Sequence, residues 1–227
     1  KDLKIYEFGK TYSSHEESYN ESKKLGICMT GNKYSEMWNS PTSKISFFDM
    51  KSTVINILER LGILSFKENK TTIDLFSEGI SLDLNNKSLV DFGIVKKNLT
   101  KYFSLDSEII YADFDWDLIY KYAFKKEIKI EEISKFPKSR RDFSLLVNRD
   151  VNFDELEISA LKIDRKLLKS VSLFDVYEGE KLPEGKKSYG LSFHFSDPNK
   201  TLTDKNIDRI MQKIQKEFEQ IFGAVLR

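Results

Sequence analysis

The sequence predicts an α+β protein of two domains, an antiparallel-sheet domain followed by one with the order β-α-β-β-α-β. Three observations predict it: short β-prone segments punctuated by Gly and Asn through the first half, a charged Pro-containing stretch from Lys125 to Arg141, and a regular alternation of strand and helix patterns after it. With 227 residues, 40% hydrophobic and 32% charged, the chain can build two cores. Domains of about 100–150 residues are the usual unit.

In the first half, Lys4 to Tyr12 and Lys24 to Met29 read as two strands between polar loops, with Gly9, Gly26 and Gly31 as punctuation. Phe47 to Leu61 reads differently. Met50, Val54, Ile57, Leu58 and Leu61 recur at helical spacing, and Gly62 stands where a C-terminal cap belongs. Beyond it, Ile73 to Phe76, Ile80 to Leu84, Leu89 to Val95 and Glu108 to Asp115 are short strand-like runs. Together they predict a mostly antiparallel sheet with a few helices.

The boundary is expected near residues 130–135, giving domains of 1–130 and 135–227. Pro137 lacks an N–H and biases Phe136 toward extended chain, so no helix should cross it. Phe143 to Val147 then reads as a strand. Asn152 can cap a helix with Glu155 in the capping-box position and Phe153, Leu156, Ala160 and Ile163 on one face. Val171 to Tyr177 and Lys187 to Phe195 are the next strands. Thr203 opens a second helix, whose stripe of Ile207, Ile210, Met211, Ile214, Phe218, Ile221 and Phe222 ends at Gly223. Ala224-Val-Leu closes a ferredoxin-like order.

Strand alternation separates the two faces of that second sheet. Tyr189, Leu191, Phe193 and Phe195 suit the helices, and Phe174 and Val176 are assigned with them. Asp175 and Tyr177, with Ser188, Gly190, Ser192 and His194, are assigned to the other, open face. One aromatic ring among hydroxyls, a carboxylate and a glycine suits an unstacked base, which Tyr can stack and Asp or Ser can read. An exposed Tyr that merely satisfies β-propensity is the plainer alternative.

Composition narrows the chemistry. A net charge of +1 means that any nucleic-acid contact depends on local patches. One cysteine, Cys28, excludes a disulfide framework and a multi-cysteine zinc site, and Cys28 reads as a small packed residue; His15 and His194 are the two histidines, and His194 is expected at a surface or edge. No metal site is expected. Trp38 and Trp116 are expected to pack. No apolar run approaches the roughly 20 residues of a membrane span. A cytoplasmic protein without membrane contact is expected. The opening Leu-Lys-Ile-Tyr-Glu-Phe, without Met, reads as the start of a piece from a longer chain.

Four blocks carry a resemblance: Ile133-Ser-Lys-Phe-Pro-Lys-Ser-Arg-Arg-Asp-Phe-Ser-Leu; Leu173-Phe-Asp-Val-Tyr-Glu-Gly; Leu182-Pro-Glu-Gly-Lys-Lys-Ser-Tyr-Gly-Leu-Ser-Phe; and Thr201-Leu-Thr-Asp with the closing Gly223-Ala-Val-Leu-Arg. In order and spacing they are similar to the C-terminal, anticodon-binding domain of bacterial phenylalanyl-tRNA synthetase β subunits. The resemblance implies that Tyr177 stacks on the first anticodon base of tRNA(Phe), helped by Asp175 and Ser188. Arg140, Arg141, Lys181, Lys186 and Lys187 are candidate phosphate contacts, with solvated strand-end and loop charges as the alternative.

Residues 1–129 resemble the same family through Ile5-Tyr-Glu-Phe-Gly-Lys-Thr-Tyr, Phe47-Phe-Asp-Met-Lys-Ser-Thr-Val, Phe92-Gly-Ile-Val and Tyr111-Ala-Asp-Phe-Asp-Trp-Asp-Leu. This implies a class II synthetase-like domain that has lost catalysis and docks to a catalytic α subunit. The family's His-Pro-Gly-Arg-Ser-like loop has no counterpart near Thr71 to Gly79. The residues agree on catalysis: class II adenylation needs two arginines at the ATP phosphates, and Arg60 is the only arginine before Arg140. No GxxxxGK, GxSxG or HExxH element is present. The resemblance further implies an α2β2 enzyme using ATP and Mg2+ to join phenylalanine to tRNA, with no cofactor in these residues. Editing and further tRNA-binding modules would lie in the N-terminal part of such a subunit. The rivals are a ferredoxin-like regulatory module that binds a small amino acid, and a purely structural docking piece.

Overall fold

Alternating β-prone residues at the start of the chain form a long hairpin, β1 (Leu3–His15) and β2 (Ser18–Thr30), in unbroken antiparallel register. The computed structural model describes residues 2–15, 18–39, 41–123 and 134–227. It divides into two units, 1–129 and 130–227. Of the expected boundary at residues 130–135, residues 130–133 lie outside the described part.

In the first unit, α1 (Phe47–Arg60) forms where the helical spacing predicts it. Its N-terminus is closed by Asp49, whose carboxylate accepts from both the backbone N–H and the hydroxyl of Ser46, at 2.9 and 2.8 Å. The remaining elements are β3 (Lys67–Lys70), β4 (Phe76–Leu84), β5 (Lys87–Val95), α2 (Lys97–Tyr102), β6 (Ile109–Asp115) and α3 (Trp116–Ala123). The six strands form one antiparallel sheet in the order β1-β2-β6-β5-β4-β3. Met50, Val54 and Leu58 of α1 and Ile119 of α3 are buried with Leu25, Ile27, Leu82, Phe92, Ala112 and Phe114 of the sheet.

The structure departs from the sequence reading at several places. Ile73 to Leu75 do not form a strand; Ile73 and Asp74 lead through a turn into β4, which begins at Phe76. β3, with the sequence Lys-Glu-Asn-Lys, has no apolar alternation and is an edge strand. α3 follows β6 without a break, its start marked by the Leu118 N–H donating to Asp115 at 2.9 Å. Trp38 does not pack: it is 98% exposed. Trp116 does, edge-on to Phe8 with ring centroids 4.9 Å apart. Cys28 is half-buried, and that burial pushes its thiol up, as suits a packed residue.

The second unit contains β7 (Ser139–Asn148), α4 (Phe153–Ile163), β8 (Leu168–Tyr177), β9 (Lys186–Phe195), α5 (Asp204–Phe222) and β10 (Val225–Leu226). The sheet order is β10-β7-β9-β8, the ferredoxin-like arrangement with all neighbours antiparallel. In α4 the Asn152 N–H donates to Glu155 at 3.0 Å, as the capping-box spacing predicts. α5 buries Ile207, Ile210, Met211, Ile214 and Phe218 against Leu145, Leu191, Phe193 and Phe195. It stops at Gly223, whose φ of +57° is left-handed and readily adopted by glycine.

Candidate nucleic-acid interface

Both helices cover one face of the second sheet, so its other face sets what the unit can bind. Ladder partners share a face, and Tyr189, Leu191, Phe193 and Phe195 of β9 pair with Leu145, Phe143, Arg141 and Ser139 of β7. The opposite face carries Ser188, Gly190, Ser192 and His194, paired with Leu146, Ser144, Asp142 and Arg140. On the other flank, Tyr177 pairs with Ser188 and Asp175 with Gly190. Asp175, Tyr177 and Ser188 thus occupy adjacent positions on one face.

That face differs from the sequence reading in two respects. The register of β8 shifts between Leu173 and Asp175, a bulge that breaks strict alternation. Phe174, assigned to the helix-covered face, instead lies over Gly190: a Cβ built there would be 2.8 Å from two Phe174 ring carbons and 2.9 Å from the Asp175 Cβ. Phe174 and Asp175 therefore crowd the same glycine, and Phe174 is 57% exposed. The face is also less open than expected. Ser188 and Ser192 are buried, Ser188 flanked in the ladder by Leu146 and Tyr177. Tyr177 remains 38% exposed, and Asp175 is exposed.

The five candidate phosphate contacts separate. Arg140 is on the open face, donating through Nε to Asp142 at 2.8 Å, with its guanidinium 5.5 Å from the centre of the Phe174 ring. This ion pair holds the Asp142 carboxyl below its ordinary range and raises Arg140. Arg141 is on the opposite side, paired with Asp204 and, at 3.7 Å, with Asp208 of α5. Lys187 is buried, its ammonium 4.7 Å from the centre of the Tyr189 ring. Arg141 and Lys187 are thus occupied on the helix side, because strand alternation sends them there. Lys181 is exposed in the β8–β9 loop, and Lys186 is half-buried at the start of β9. His194 is half-buried, Nε2 lying 3.3 Å from the Ser172 hydroxyl. It borders a cavity of about 230 Å3 with Lys138, Lys169 and Ser170.

Sequence reasoning missed Phe174 and Gly179. The Tyr177 ring lies over Gly179 so closely that a Cβ there would be 2.6 Å from its hydroxyl oxygen. The Tyr-x-Gly spacing was the available signal for the glycine; a bulge leaves none in an alternation pattern.

In the first unit, the sheet face turned away from α1 is partly covered by the chain itself. Tyr111 covers Gly26, where a Cβ would be 2.9 Å from its hydroxyl, and at Gly93 a Cβ would meet the backbone of Glu78 and Gly79 before the Phe76 ring, whose Cγ is at 2.9 Å. Asp91 and Asp113 pair across β5 and β6 on this face. Burial pushes the Asp113 carboxyl up, with Lys24 at 3.5 Å opposing the shift. The two carboxylates repel the charge of a triphosphate. Among the described residues, no group of three or more His, Cys, Asp or Glu is placed to hold a metal, and no helix is long and apolar enough to cross a membrane.

Comparisons with known proteins bear on both units. Residues 1–116 match the family model described as the phenylalanyl tRNA synthetase beta chain CLM domain, and residues 134–227 match that of the ferredoxin-fold anticodon binding domain. The phenylalanine–tRNA ligase β subunit of Bacteroides thetaiotaomicron is 40% identical over 100% of this chain and 29% of its own length. Those of Porphyromonas gingivalis and Syntrophus aciditrophicus are 35% and 31% identical over 99% and 100% of this chain, and 29% of theirs. The chain spans under a third of these curated relatives. Among solved structures, the pyrrolysyl-tRNA synthetase of Desulfitobacterium hafniense covers 53% of this chain and 41% of its own at 15% identity and a TM-score of 0.39, too distant to carry an argument.

Proposed function

The chain belongs to the phenylalanine–tRNA ligase β-subunit family, and from that premise we propose that residues 135–227 read the anticodon stem-loop of tRNA(Phe), while residues 1–130 are a non-catalytic, class II-like domain that docks to the catalytic α subunit. Tyr177 stacks on the first anticodon base. Asp175 accepts from the base edge, and Ser188, beside Tyr177 in the ladder, adds a hydroxyl at its margin. The observation that carries this reading is the pairing of Tyr177 with Ser188 and of Asp175 with Gly190 on the helix-free face of the unit that matches the anticodon-binding model.

The whole enzyme is then a cytoplasmic α2β2 assembly that uses ATP and Mg2+ to attach phenylalanine to tRNA, with the chemistry on the α subunit. Arg60, in the last turn of α1, is the first unit's only arginine. The paired carboxylates Asp91 and Asp113 oppose binding of a triphosphate, and no catalytic step is assigned to these residues. Lys181, Lys186 and Arg140 remain as phosphate contacts; Arg141 and Lys187 do not.

Tyr177→Ala should weaken binding of an anticodon stem-loop by about 1–3 kcal/mol, the value of one base–aromatic stack. Calorimetry with the stem-loop measures it. Unchanged affinity would remove Tyr177 from the site. Phenylalanine alone should give no heat; binding of the amino acid at this sheet would favour a regulatory module instead.

A further inference from the structure

We propose that Phe174 is a second stacking platform, taking the RNA base next to the one held by Tyr177, with Arg140 as its charged flank. The proposal rests on the anticodon-binding reading. Without the bulge at Leu173–Asp175, alternation would place Phe174 on the helix side; with it, the ring stands on the open face, 57% exposed. Shielding Gly190 accounts for the ring's position but not for the apolar surface that it leaves in water.

Spacing favours a second base. Tyr177 stands at Ser188 and Phe174 at Gly190, two residues along β9, or about 7 Å at the usual strand rise. Four-stranded RNA-binding sheets use neighbouring aromatics in this way, stacking two or three bases. Charge gives the direction. Past Phe174 the face carries Arg140, whose guanidinium is 5.5 Å from the ring centre, and then the cavity bordered by Lys138, Lys169 and His194. A strand that leaves Tyr177 and crosses Phe174 moves toward cations complementary to its phosphates. Asp142 is already paired with Arg140, which reduces its repulsion.

The test uses the 227-residue chain and anticodon stem-loop RNAs carrying 2-aminopurine on either side of the first anticodon base. Phe174→Leu should weaken binding roughly tenfold, the loss of one stacked base, and relieve the fluorescence quench at one of the two neighbours. Phe174→Tyr should restore both. A Phe174→Leu chain that binds within twofold of the parent, while Tyr177→Ala does not, overturns the proposal and leaves the anticodon reading intact. If neither substitution weakens binding, both readings fall. Should Phe174→Leu not fold, Phe174→Trp decides: saturating stem-loop should quench the new indole's emission relative to a Trp38 and Trp116 background, and an unquenched indole overturns the proposal.

Discussion

Tyr177 lies so tightly over Gly179 that a methyl group on the glycine would meet the phenol at 2.6 Å. The glycine does not have a positive φ, so its role is space rather than backbone freedom. A ring held in place needs no reorganisation when a base arrives.

Gly179→Ala should therefore turn the Tyr177 ring without unfolding the unit. Affinity for the anticodon stem-loop should fall nearly as far as with Tyr177→Ala, by about 1–3 kcal/mol, while the thermal midpoint stays close to that of the parent. Calorimetry and thermal melting separate these effects. Full affinity in the Ala variant would show that the ring's resting position is irrelevant to binding.

Lys187 and Lys181 should behave in opposite ways. Lys187 is buried over the Tyr189 ring, so Lys187→Ala should cost stability, about 0.5–2 kcal/mol by its cation–π contact. It should leave the salt dependence of RNA binding unchanged. Lys181→Ala should leave stability unchanged and reduce the slope of log K against log salt by nearly one contact. A shallower slope with Lys187→Ala would return that lysine to the interface.

Asp49 caps α1, and hydrogen bonds from Lys33 and Ser46 hold its carboxyl down at about 2, against an ordinary 3.8. A depressed carboxyl stabilises the fold above its unfolded pKa, and that stability is lost as pH falls from about 4 toward 2. Asp49→Asn should lower stability at pH 7 by roughly 1 kcal/mol, the typical worth of a cap. The gap between variant and parent should close in acid. Urea melts at several pH values measure it; a gap independent of pH would contradict the linkage.

Asp113 has the opposite sign. Burial raises its carboxyl and Asp91 adds to the effect, so the ionised form weakens the fold at neutral pH. Stability tied to this group falls as pH rises from the unfolded value through the raised one. Asp113→Asn should raise the thermal midpoint at pH 7, with the advantage disappearing near pH 4. A lower midpoint at pH 7 would mean that the Lys24 pairing outweighs desolvation.

The sequence conveyed the second unit well because each signal there was local. Asn152 with Glu155, the stripe from Ile207 to Phe222 and Gly223 all depend on neighbours in the chain. The positions of Tyr177, Asp175 and Ser188 on one face followed from alternation. What was lost depended on the partner strand. The bulge at Leu173–Asp175 appears only when β8 is laid against β9, so Phe174 was put on the wrong face. Burial of Ser188 and Lys187 likewise comes from what flanks them. In the first unit, β3 forms from four polar residues because β4 offers it an edge, a reason that no pattern within Lys67–Lys70 contains.

The hairpin of β1 and β2 has a consequence in the time domain. β2 pairs with β6 from Lys24 to Thr30, whereas residues 11–15 and 18–22 pair only with each other, beyond the point where the Lys23 N–H donates to Asp117 at 2.8 Å. Two-stranded ribbons are marginal in water, so their amides should exchange with deuterium well before those of Leu25 to Thr30. Brief protease treatment should nick this ribbon first, leaving the six-stranded sheet closed over α1.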